Sequence, residues 1–257
     1  MSKQAKPGIS LDNWERTEDR LSTKDAIALL AGAIVVVSFV GTAKTPPATA
    51  ASPLGNVSGT LPGLAPISSD ADKAKARDLI QKLRVKGFGP NTGYERTRYG
   101  ENWADTATGV PFARNGCRTR DDLLARDGRD VKYRAGSGCE VVSMTLDDPY
   151  TGRTIFWHKD NAGEVQVDHV VPLNYGWRMG APRWPMSKRL EFANDPLNLL
   201  PVDGAANEQK DASGPANWLP PQRRIRCAYV TRFAQVAFKY NVPVTAADKK
   251  MMLTQCR

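Results

Sequence analysis

The chain has 257 residues, a formal net charge of +9 and a hydrophobic fraction of 41%. This length and apolar content allow one domain with its own core and exclude a wholly disordered chain. Residues 1–66 contain six basic and five acidic side chains, so almost all of the positive excess belongs to the residues that follow them. Such a surface attracts polyanions, which makes nucleic acid and anionic membrane the partners to consider.

The N-terminal part of the chain is predicted to consist of three segments outside the folded domain. Residues 1–25 form a polar leader, and residues 26–43 contain no charged side chain. This apolar stretch reaches the ~17–25 residues that a membrane-spanning helix requires. It is predicted to be an uncleaved membrane anchor, with a cleaved secretory signal and a buried core helix as alternatives. Residues 44–68 are rich in Pro, Ala, Gly, Thr and Ser and are predicted to be an extended tether that forms no core.

The cysteines indicate the compartment of the folded part. All four, Cys117, Cys139, Cys227 and Cys256, follow the apolar segment, and an even number there favours two disulfides in an oxidising environment. Of the three pairings that four cysteines allow, we favour Cys117 with Cys139 and Cys227 with Cys256, because each pair closes a local loop. A zinc site is the alternative, but Cys-x-x-Cys spacing is absent and neither histidine is near a cysteine. The folded part is therefore expected outside the cell membrane, or secreted after cleavage.

The folded domain is predicted to cover residues 69–257. Its first helix is predicted over residues 71–86, with Ser69 as the N-cap and Gly87 as the residue that ends it. No internal repeat follows, and turn signals separate short apolar runs from helical patterns, which predicts an α+β domain. The strands are predicted at residues 131–134, 140–145, 154–158, 165–171 and 197–202, and the later helices at residues 119–126, 187–193, 204–210, 222–240 and 246–254.

A turn-rich basic stretch over residues 88–120 lies between the first two helices. It sets arginines among aromatic residues, a composition that can stack on bases and hold phosphates. Arg118 and Arg120 are the residues of this stretch predicted to bind nucleic acid. The alternative is a loop whose charges are solvated and whose aromatic rings pack on the core.

The most informative motif is Asp168-His169, at the end of an alternating apolar stretch over residues 164–173. Successive side chains of an extended segment point in opposite directions, so Asp168 can offer an oxygen to a metal ion while His169 takes a proton from water. Only two histidines exist in the chain, so His169 has few competitors as a general base. The other, His158, is predicted to be structural or solvent-facing.

Two asparagines and a lysine downstream complete the predicted site. Asn207, on the helix after the second strand, offers a carboxamide oxygen as a second metal ligand. Asn198 is predicted to hydrogen-bond the backbone of the loop that carries His169, and Lys210 to reach a phosphate. Oxygen ligands favour Mg²⁺ or Mn²⁺ over zinc. A metal ion and a general base are what the hydrolysis of a phosphodiester by water needs.

These residues carry a resemblance to a known family. The chain resembles the HNH endonuclease superfamily in the variant with Asn at the third position, and more closely the GmrSD C-terminal type of small exported actinobacterial nucleases. The similarity extends from about Tyr94 to the C terminus. The segments that carry it are residues 167–172 (VDHVVP), 194–200 (NDPLNLL), 207–210 (NEQK) and 218–221 (WLPP).

The resemblance implies a ββα-metal finger within a small mixed domain of short antiparallel strands and C-terminal helices. It also implies a single catalytic divalent ion and DNA cleavage that leaves 5′-phosphate and 3′-hydroxyl ends. Position by position, it implies Asp168 and Asn207 as metal ligands, His169 as the base and Asn198 as a structural asparagine. Glu208 is a departure from the family pattern, and an acid at this position is expected to weaken the approach of a phosphate.

The sequence therefore predicts an exported, membrane-tethered endonuclease that cleaves DNA with little sequence preference. No helix-turn-helix, zinc finger or other sequence-reading module is recognisable in it. RNA is left open as a substrate, the membrane contact is predicted through residues 26–43, and the catalytic domain is expected to be a monomer. Two alternatives remain, namely a surface protein that binds DNA without cutting it and a structural protein of the cell envelope.

Overall fold

The structure is a computed structural model that describes residues 49–257. The polar leader, the apolar segment 26–43 and the start of the predicted tether lie outside the described residues. Within residues 49–257, no helix is both long enough and apolar enough to cross a bilayer.

The described residues form an α+β domain in which short antiparallel strands are surrounded by helices. The helices are α1 (Asp70–Gln81), α2 (Thr119–Asp127), α3 (Leu173–Arg178), α4 (Met186–Asn194), α5 (Gly204–Lys210), α6 (Arg226–Tyr240) and α7 (Ala246–Gln255). The strands are β1 (Gly128–Tyr133), β2 (Val141–Asp147), β3 (Thr154–His158), β4 (Val165–His169) and β5 (Leu199–Asp203).

The strands form two separate antiparallel sheets. One sheet has the order β1-β2-β3, and the other pairs β4 with β5. In the two-stranded sheet, Asp168 lies opposite Leu200 and His169 opposite Leu199. Helix α5 follows β5 directly, because Asp203 caps it by accepting a hydrogen bond from the Ala206 backbone NH. Strands β4 and β5 and helix α5 thus form a ββα unit.

Helices α1 and α3 differ most from the sequence prediction, and α6 begins at Arg226 rather than at residue 222. Helix α1 begins after Ser69, whose hydroxyl accepts a hydrogen bond from the backbone NH of Asp72, but it ends at Gln81 rather than near residue 86. The chain leaves the helix because Val85 forms a parallel bridge with Val244. Helix α3 occupies a stretch predicted to be a loop, since a helix this short is stabilised by burial of its side chains rather than by a visible apolar period.

The main core is built around α6. Val230, Phe233, Ala234 and Val236 of this helix are fully buried, and α1 and α7 pack against it. A second cluster lies under the three-stranded sheet and is contributed mainly by β2, with Trp157 of β3. A third, smaller cluster joins α2 to the ββα unit; its buried members are Leu123, Val167 and Leu199.

The cysteines form the two bridges that the sequence favours. Cys227–Cys256 joins the start of α6 to the end of α7 and is buried in the main core. Cys117–Cys139 joins the residues just before α2 to those just before β2 and is only partly buried. All four cysteines lie within residues 49–257 and are paired there, so none of them is available to a zinc site.

The described part of the predicted tether, residues 49–68, packs against the domain instead of extending from it. Leu64 and Ile67 are buried in the main core. The Gln235 side chain of α6 donates a hydrogen bond of 2.7 Å to the Pro53 carbonyl. The composition of this segment did not indicate the packing, because the contacts come from isolated apolar residues and backbone groups rather than from a periodic pattern.

Arg126 of α2 fixes this segment to the ββα unit. Its guanidinium donates to the carbonyl oxygens of Gly59, Pro196 and Leu199, at 2.6, 3.0 and 3.0 Å. The chain passes so close at Gly59 that a Cβ added there would lie 2.2 Å from the backbone nitrogen of Leu197. Only glycine fits this approach.

Candidate active site

The ββα unit brings the predicted catalytic residues together. Strand β4 ends with Asp168 and His169, and α5 carries Asn207 beside them. A cavity of about 450 Å³ opens at this point, and all three side chains line it. The other residues that line the cavity are Tyr94, Arg96, Gln166, Val167, Pro172, Leu173, Asn174, Glu208, Asp211 and Ala212.

His169 is held in one tautomer by the backbone. Its Nε2 lies 2.9 Å from the carbonyl oxygen of Ala193. A carbonyl oxygen can only accept, so we assign the ring proton to Nε2 and a lone pair to Nδ1. Within residues 49–257, Nδ1 makes no hydrogen bond. The imidazole therefore keeps an unprotonated nitrogen and lines the cavity.

The surroundings of His169 keep it neutral. Burial of the ring and, after it, the positive charge of Arg96 lower the pKa of His169 to about 3. The bond to Ala193 opposes this shift, whereas the charge of Lys210 adds to it. At neutral pH the imidazole is thus unprotonated, with Nδ1 as its lone-pair nitrogen.

Trp103 covers one face of the His169 ring. The two ring centroids are 5.8 Å apart and the planes are tilted by 14°, which is a stacked arrangement. The guanidinium carbon of Arg96 lies 5.6 Å from the centre of the Trp103 ring. Trp103 thus contacts both the candidate base and a cation of the cavity wall.

Asp168 is buried, and both of its oxygens accept hydrogen bonds. The Lys210 ammonium donates to Oδ1 at 2.8 Å and the Tyr150 hydroxyl to Oδ2 at 2.5 Å. Burial, followed by the charge of Asp168, raises the pKa of Tyr150 well above its usual value, so the phenol stays protonated and remains a donor. Each carboxylate oxygen keeps a second lone pair for a further partner.

Lys210 does not reach a phosphate, contrary to the sequence prediction. Its side chain is fully buried, and the ammonium also donates to the His169 carbonyl at 2.9 Å. The last turn of α5 directs Lys210 into the protein, whereas Asn207 faces the cavity. The positive charge of Lys210 therefore compensates the negative charge of the Asp168 carboxylate from the interior of the protein.

Asn207 offers an oxygen to the same cavity. Its amide nitrogen donates to the Gln166 side-chain oxygen at 2.8 Å. In the part of the chain that the structure describes, the Asn207 side-chain oxygen accepts no hydrogen bond. Because the amide is oriented by Gln166, this oxygen is available to a cation.

The donor set of Asp168 and Asn207 fits a hard, largely hydrated divalent ion. Residues 49–257 contain no group of three or more His, Cys, Asp or Glu side chains that could hold a metal. Structural zinc sites need four such ligands, whereas Mg²⁺ keeps several waters and binds with one or two carboxylates and the substrate phosphate. One carboxylate oxygen and one amide oxygen are donors of the kind that hard divalent ions such as Mg²⁺ and Mn²⁺ prefer.

Asn198 is fully buried and holds the chain that follows β4. Its side-chain oxygen accepts from the Val171 backbone NH at 2.8 Å, and its amide donates to the carbonyls of Val171 and Phe192 at 3.3 and 3.1 Å. Its own carbonyl accepts from Val170. These are the backbone contacts expected of it, and they place it behind the cavity rather than in it.

The two arginines predicted to bind nucleic acid lie in different clefts. Arg120 is half-buried over the ring of Trp157, at 5.4 Å, and lines a shallow cleft next to Asn207. Arg118 is exposed beside the Cys117–Cys139 bridge and lines neither that cleft nor the main cavity. His158 is exposed and accepts a hydrogen bond from the Asp160 backbone NH, as a structural residue would.

Sequence reasoning did not assign Tyr150, Gln166, Arg96 or Trp103 to the site. Gln166 lies two residues before Asp168, so strand alternation places both on one face, and this signal could have found it. For Tyr150, the sequence indicated only a turn and gave no reason to place this residue in the site. Arg96 and Trp103 stood out only as members of a basic aromatic stretch, which does not say which of its residues meets His169.

Comparison with known proteins shows which protein family the chain matches. Residues 118–255 match the family of GmrSD restriction endonucleases, C-terminal domain. An uncharacterized secreted protein of Arthroderma benhamiae is 36% identical over 186 residues, which are 70% of this chain and 84% of that protein. No solved structure matches the chain. The family match contains the ββα unit, whereas Arg96 and Trp103 lie before it.

Proposed function

The chain belongs to the family of GmrSD restriction endonuclease C-terminal domains, and from this premise we propose that it is a metal-dependent endonuclease of the HNH type. It hydrolyses DNA phosphodiester bonds with little sequence preference. The observation that carries the proposal is that His169 Nδ1 has no hydrogen-bond partner within residues 49–257, in a ring that lines a cavity together with Asp168 and Asn207. A neutral imidazole and two side chains with oxygens that could bind a hard cation thus support it.

In the proposed mechanism, His169 is the general base. Its Nδ1 takes a proton from the water that attacks phosphorus, and the proton leaves from the same nitrogen to solvent after cleavage. The bond from Nε2 to the Ala193 carbonyl keeps the ring in this orientation throughout. Bound by Asp168 and Asn207, Mg²⁺ or Mn²⁺ would stabilise the charge that develops on the phosphate and on the departing 3′ oxygen.

The other buried residues hold these groups in place. Lys210 and Tyr150 fix the Asp168 carboxylate with two short hydrogen bonds. Lys210 and Asn198 also hold the backbone at the end of β4, at His169 and Val171 respectively. Such preorganisation keeps a base and a charge-stabilising site aligned without reorganisation during the reaction.

The proposed compartment is extracellular. Two disulfides indicate an oxidising environment, and the Arthroderma relative is described as secreted. We propose an uncleaved anchor over residues 26–43, with secretion after cleavage as the alternative, and a monomeric catalytic domain. Protease treatment of intact cells is expected to remove the catalytic domain, and its full protection would contradict export to the surface.

A plasmid-cleavage assay tests the proposed activity. The full chain, purified with its disulfides intact in a mild detergent, is incubated with supercoiled plasmid in Mg²⁺, Mn²⁺ or EDTA, and in parallel with single-stranded RNA. Cutting of the plasmid is expected with either metal and none with EDTA. His169→Ala is expected to lower the rate by roughly 10²–10⁴-fold, the usual contribution of a general base.

His158→Ala is the matched control, because it removes the other histidine, which is exposed and outside the cavity. It is expected to cut like the unaltered chain. Binding of the plasmid without cutting would favour the alternative of a non-catalytic surface protein that captures DNA. Cutting that persists in His169→Ala would show that another group is the base.

A further inference from the structure

One wall of the cavity comes from residues that precede the part of the chain matched by the family model. The family match begins at residue 118, yet Tyr94 and Arg96 line the cavity next to His169. A narrow cleft on the other side of His169 is lined by Arg96 and Trp103 as well. The segment of residues 94–103, here called the upstream wall, therefore closes the site from a part of the chain before the matched residues 118–255.

Trp103 is fixed in the upstream wall by its surroundings. Its φ of 58° lies in the left-handed region, which costs a residue other than glycine about 1–3 kcal/mol and persists only where the structure holds it. Its carbonyl accepts from the Thr119 backbone NH at 3.3 Å, and its ring packs on the cluster that contains Val167 and Leu199. The indole is thereby held against the face of the His169 ring.

Arg96 is the cation of this wall. Its Nε donates to the Asn102 side-chain oxygen at 2.8 Å, and within residues 49–257 its guanidinium forms no ion pair with an acid. The remaining N–H groups are free to bind a ligand. The side chain is exposed, lies against the Trp103 ring and lines the cavity that His169 lines.

The charged side chains that line the cavity are mostly acidic, so the positive charge of Arg96 matters for the binding of an anion. Asp168, Glu208 and Asp211 bring three carboxylates to its lining, whereas Arg96 is the only lysine or arginine among the described residues that line it. A phosphodiester carries a negative charge into this cavity. A guanidinium suits phosphate oxygens because it can donate two parallel hydrogen bonds.

We propose that the upstream wall completes the catalytic site: Arg96 contacts the scissile phosphate, and Trp103 is a positioning residue that aligns Arg96 and the His169 ring. This inference rests on the proposed nuclease function and adds two residues to its site. Arg96 is a substrate-contacting residue, while Trp103 acts through its two neighbours.

The role of Arg96 is tested with Arg96→Gln and with Arg98→Gln as the matched control. Arg98 lies on the same turn, is exposed, and forms an ion pair with Glu95 instead of lining the cavity. Binding of a fluorescein-labelled 12-base-pair DNA duplex is measured by anisotropy in EDTA. Arg96→Gln is expected to raise Kd by about 3–10-fold, and Arg98→Gln by less than about 2-fold.

The same variants are compared in cleavage with Mg²⁺. Arg96→Gln is expected to lower kcat/KM by roughly 10²–10³-fold, as loss of one charge-stabilising donor does, while Arg96→Lys retains part of the rate. Equal behaviour of Arg96→Gln and Arg98→Gln in both assays would overturn the role of Arg96. If the unaltered chain cuts no polynucleotide, the proposed function fails, but the binding comparison in EDTA still decides this role.

The role of Trp103 is tested by NMR of the metal-free full chain labelled with ¹³C at its histidine rings. With only two histidines, the spectrum is assigned by His158→Ala. Stacking on the indole is expected to shift the His169 ring protons upfield of those of His158, and Trp103→Leu to remove this shift. Trp103→Leu is expected to lower kcat more than it raises KM, with Trp103→Phe restoring most of the rate. An unchanged His169 spectrum in Trp103→Leu would refute the positioning role.

Discussion

Replacement of Lys210 with Met is expected to destabilise the fold strongly. The ammonium is fully buried and donates to Asp168 at 2.8 Å and to the His169 carbonyl at 2.9 Å. Met has a similar length but no charge, so the Asp168 carboxylate would remain buried with the Tyr150 hydroxyl as its only partner in the described structure. Breaking a buried ion pair from one side costs about 3–5 kcal/mol. In a domain of this size the loss corresponds to a fall in Tm of roughly 6–20 °C.

The assay is urea unfolding of the full chain at pH 7 in EDTA, followed by tryptophan fluorescence. Lys250→Met, at an exposed position on α7, is the control and is expected to change stability by less than about 0.5 kcal/mol. Adding Asp168→Asn to Lys210→Met removes the unbalanced charge and is expected to recover about 2 kcal/mol or more. A loss below about 1 kcal/mol in Lys210→Met, or a double variant no more stable than the single one, would refute the reasoning.

Three further outcomes are expected from the structure. Asn198→Ala removes three buried hydrogen bonds and should lower the free energy of unfolding by about 2–4 kcal/mol; a change below 1 kcal/mol would contradict this. Because burial lowers the pKa of His169 to about 3 in the folded chain, below the ordinary 6.5 of an exposed imidazole, only the unfolded chain gains this proton as the pH falls below 6.5, so stability declines there. Between pH 6 and 4.5 the unaltered chain should lose more stability than His169→Gln, by up to about 1.4 kcal/mol per pH unit, and parallel urea titrations decide this. Mild reduction with dithiothreitol, then labelling with iodoacetamide and mass spectrometry, should modify the partly buried Cys117–Cys139 pair before the buried Cys227–Cys256 pair. Each bridge is expected to contribute about 3.5 kcal/mol to the free energy of unfolding. The reverse order of labelling would contradict the described burial.

The grouping of Asp168, His169 and Asn207 around one cavity could be predicted because its main signal is local. Asp168 and His169 are adjacent on a strand, and alternation and spacing place Asn207 near them on the following helix. The local loops closed by the cysteines likewise indicated both bridges. Short-range periodicity and spacing determine such features, so they can be recognised in a single sequence without knowledge of the fold.

The rest depends on contacts between distant parts of the chain. Whether Lys210 faces the cavity or the interior is decided by how α5 packs on β4, and a spacing of one helical turn does not determine it. Trp103 meets His169 only because the upstream wall folds back over the ββα unit. Residues 49–68 were assigned to a tether because neither Leu64 nor Ile67 belongs to a periodic pattern. Tertiary packing overrides composition in each of these cases.

The attachment of Gly59 through Arg126 also constrains the order in which the chain can fold. The carbonyls of Gly59, Pro196 and Leu199 share one guanidinium, so this attachment is complete only after residues near 199 have left the ribosome. Closing so long a loop is slow. A nascent chain halted before α6 has emerged would expose Leu64 and Ile67, which pack in the main core, to solvent and to chaperones.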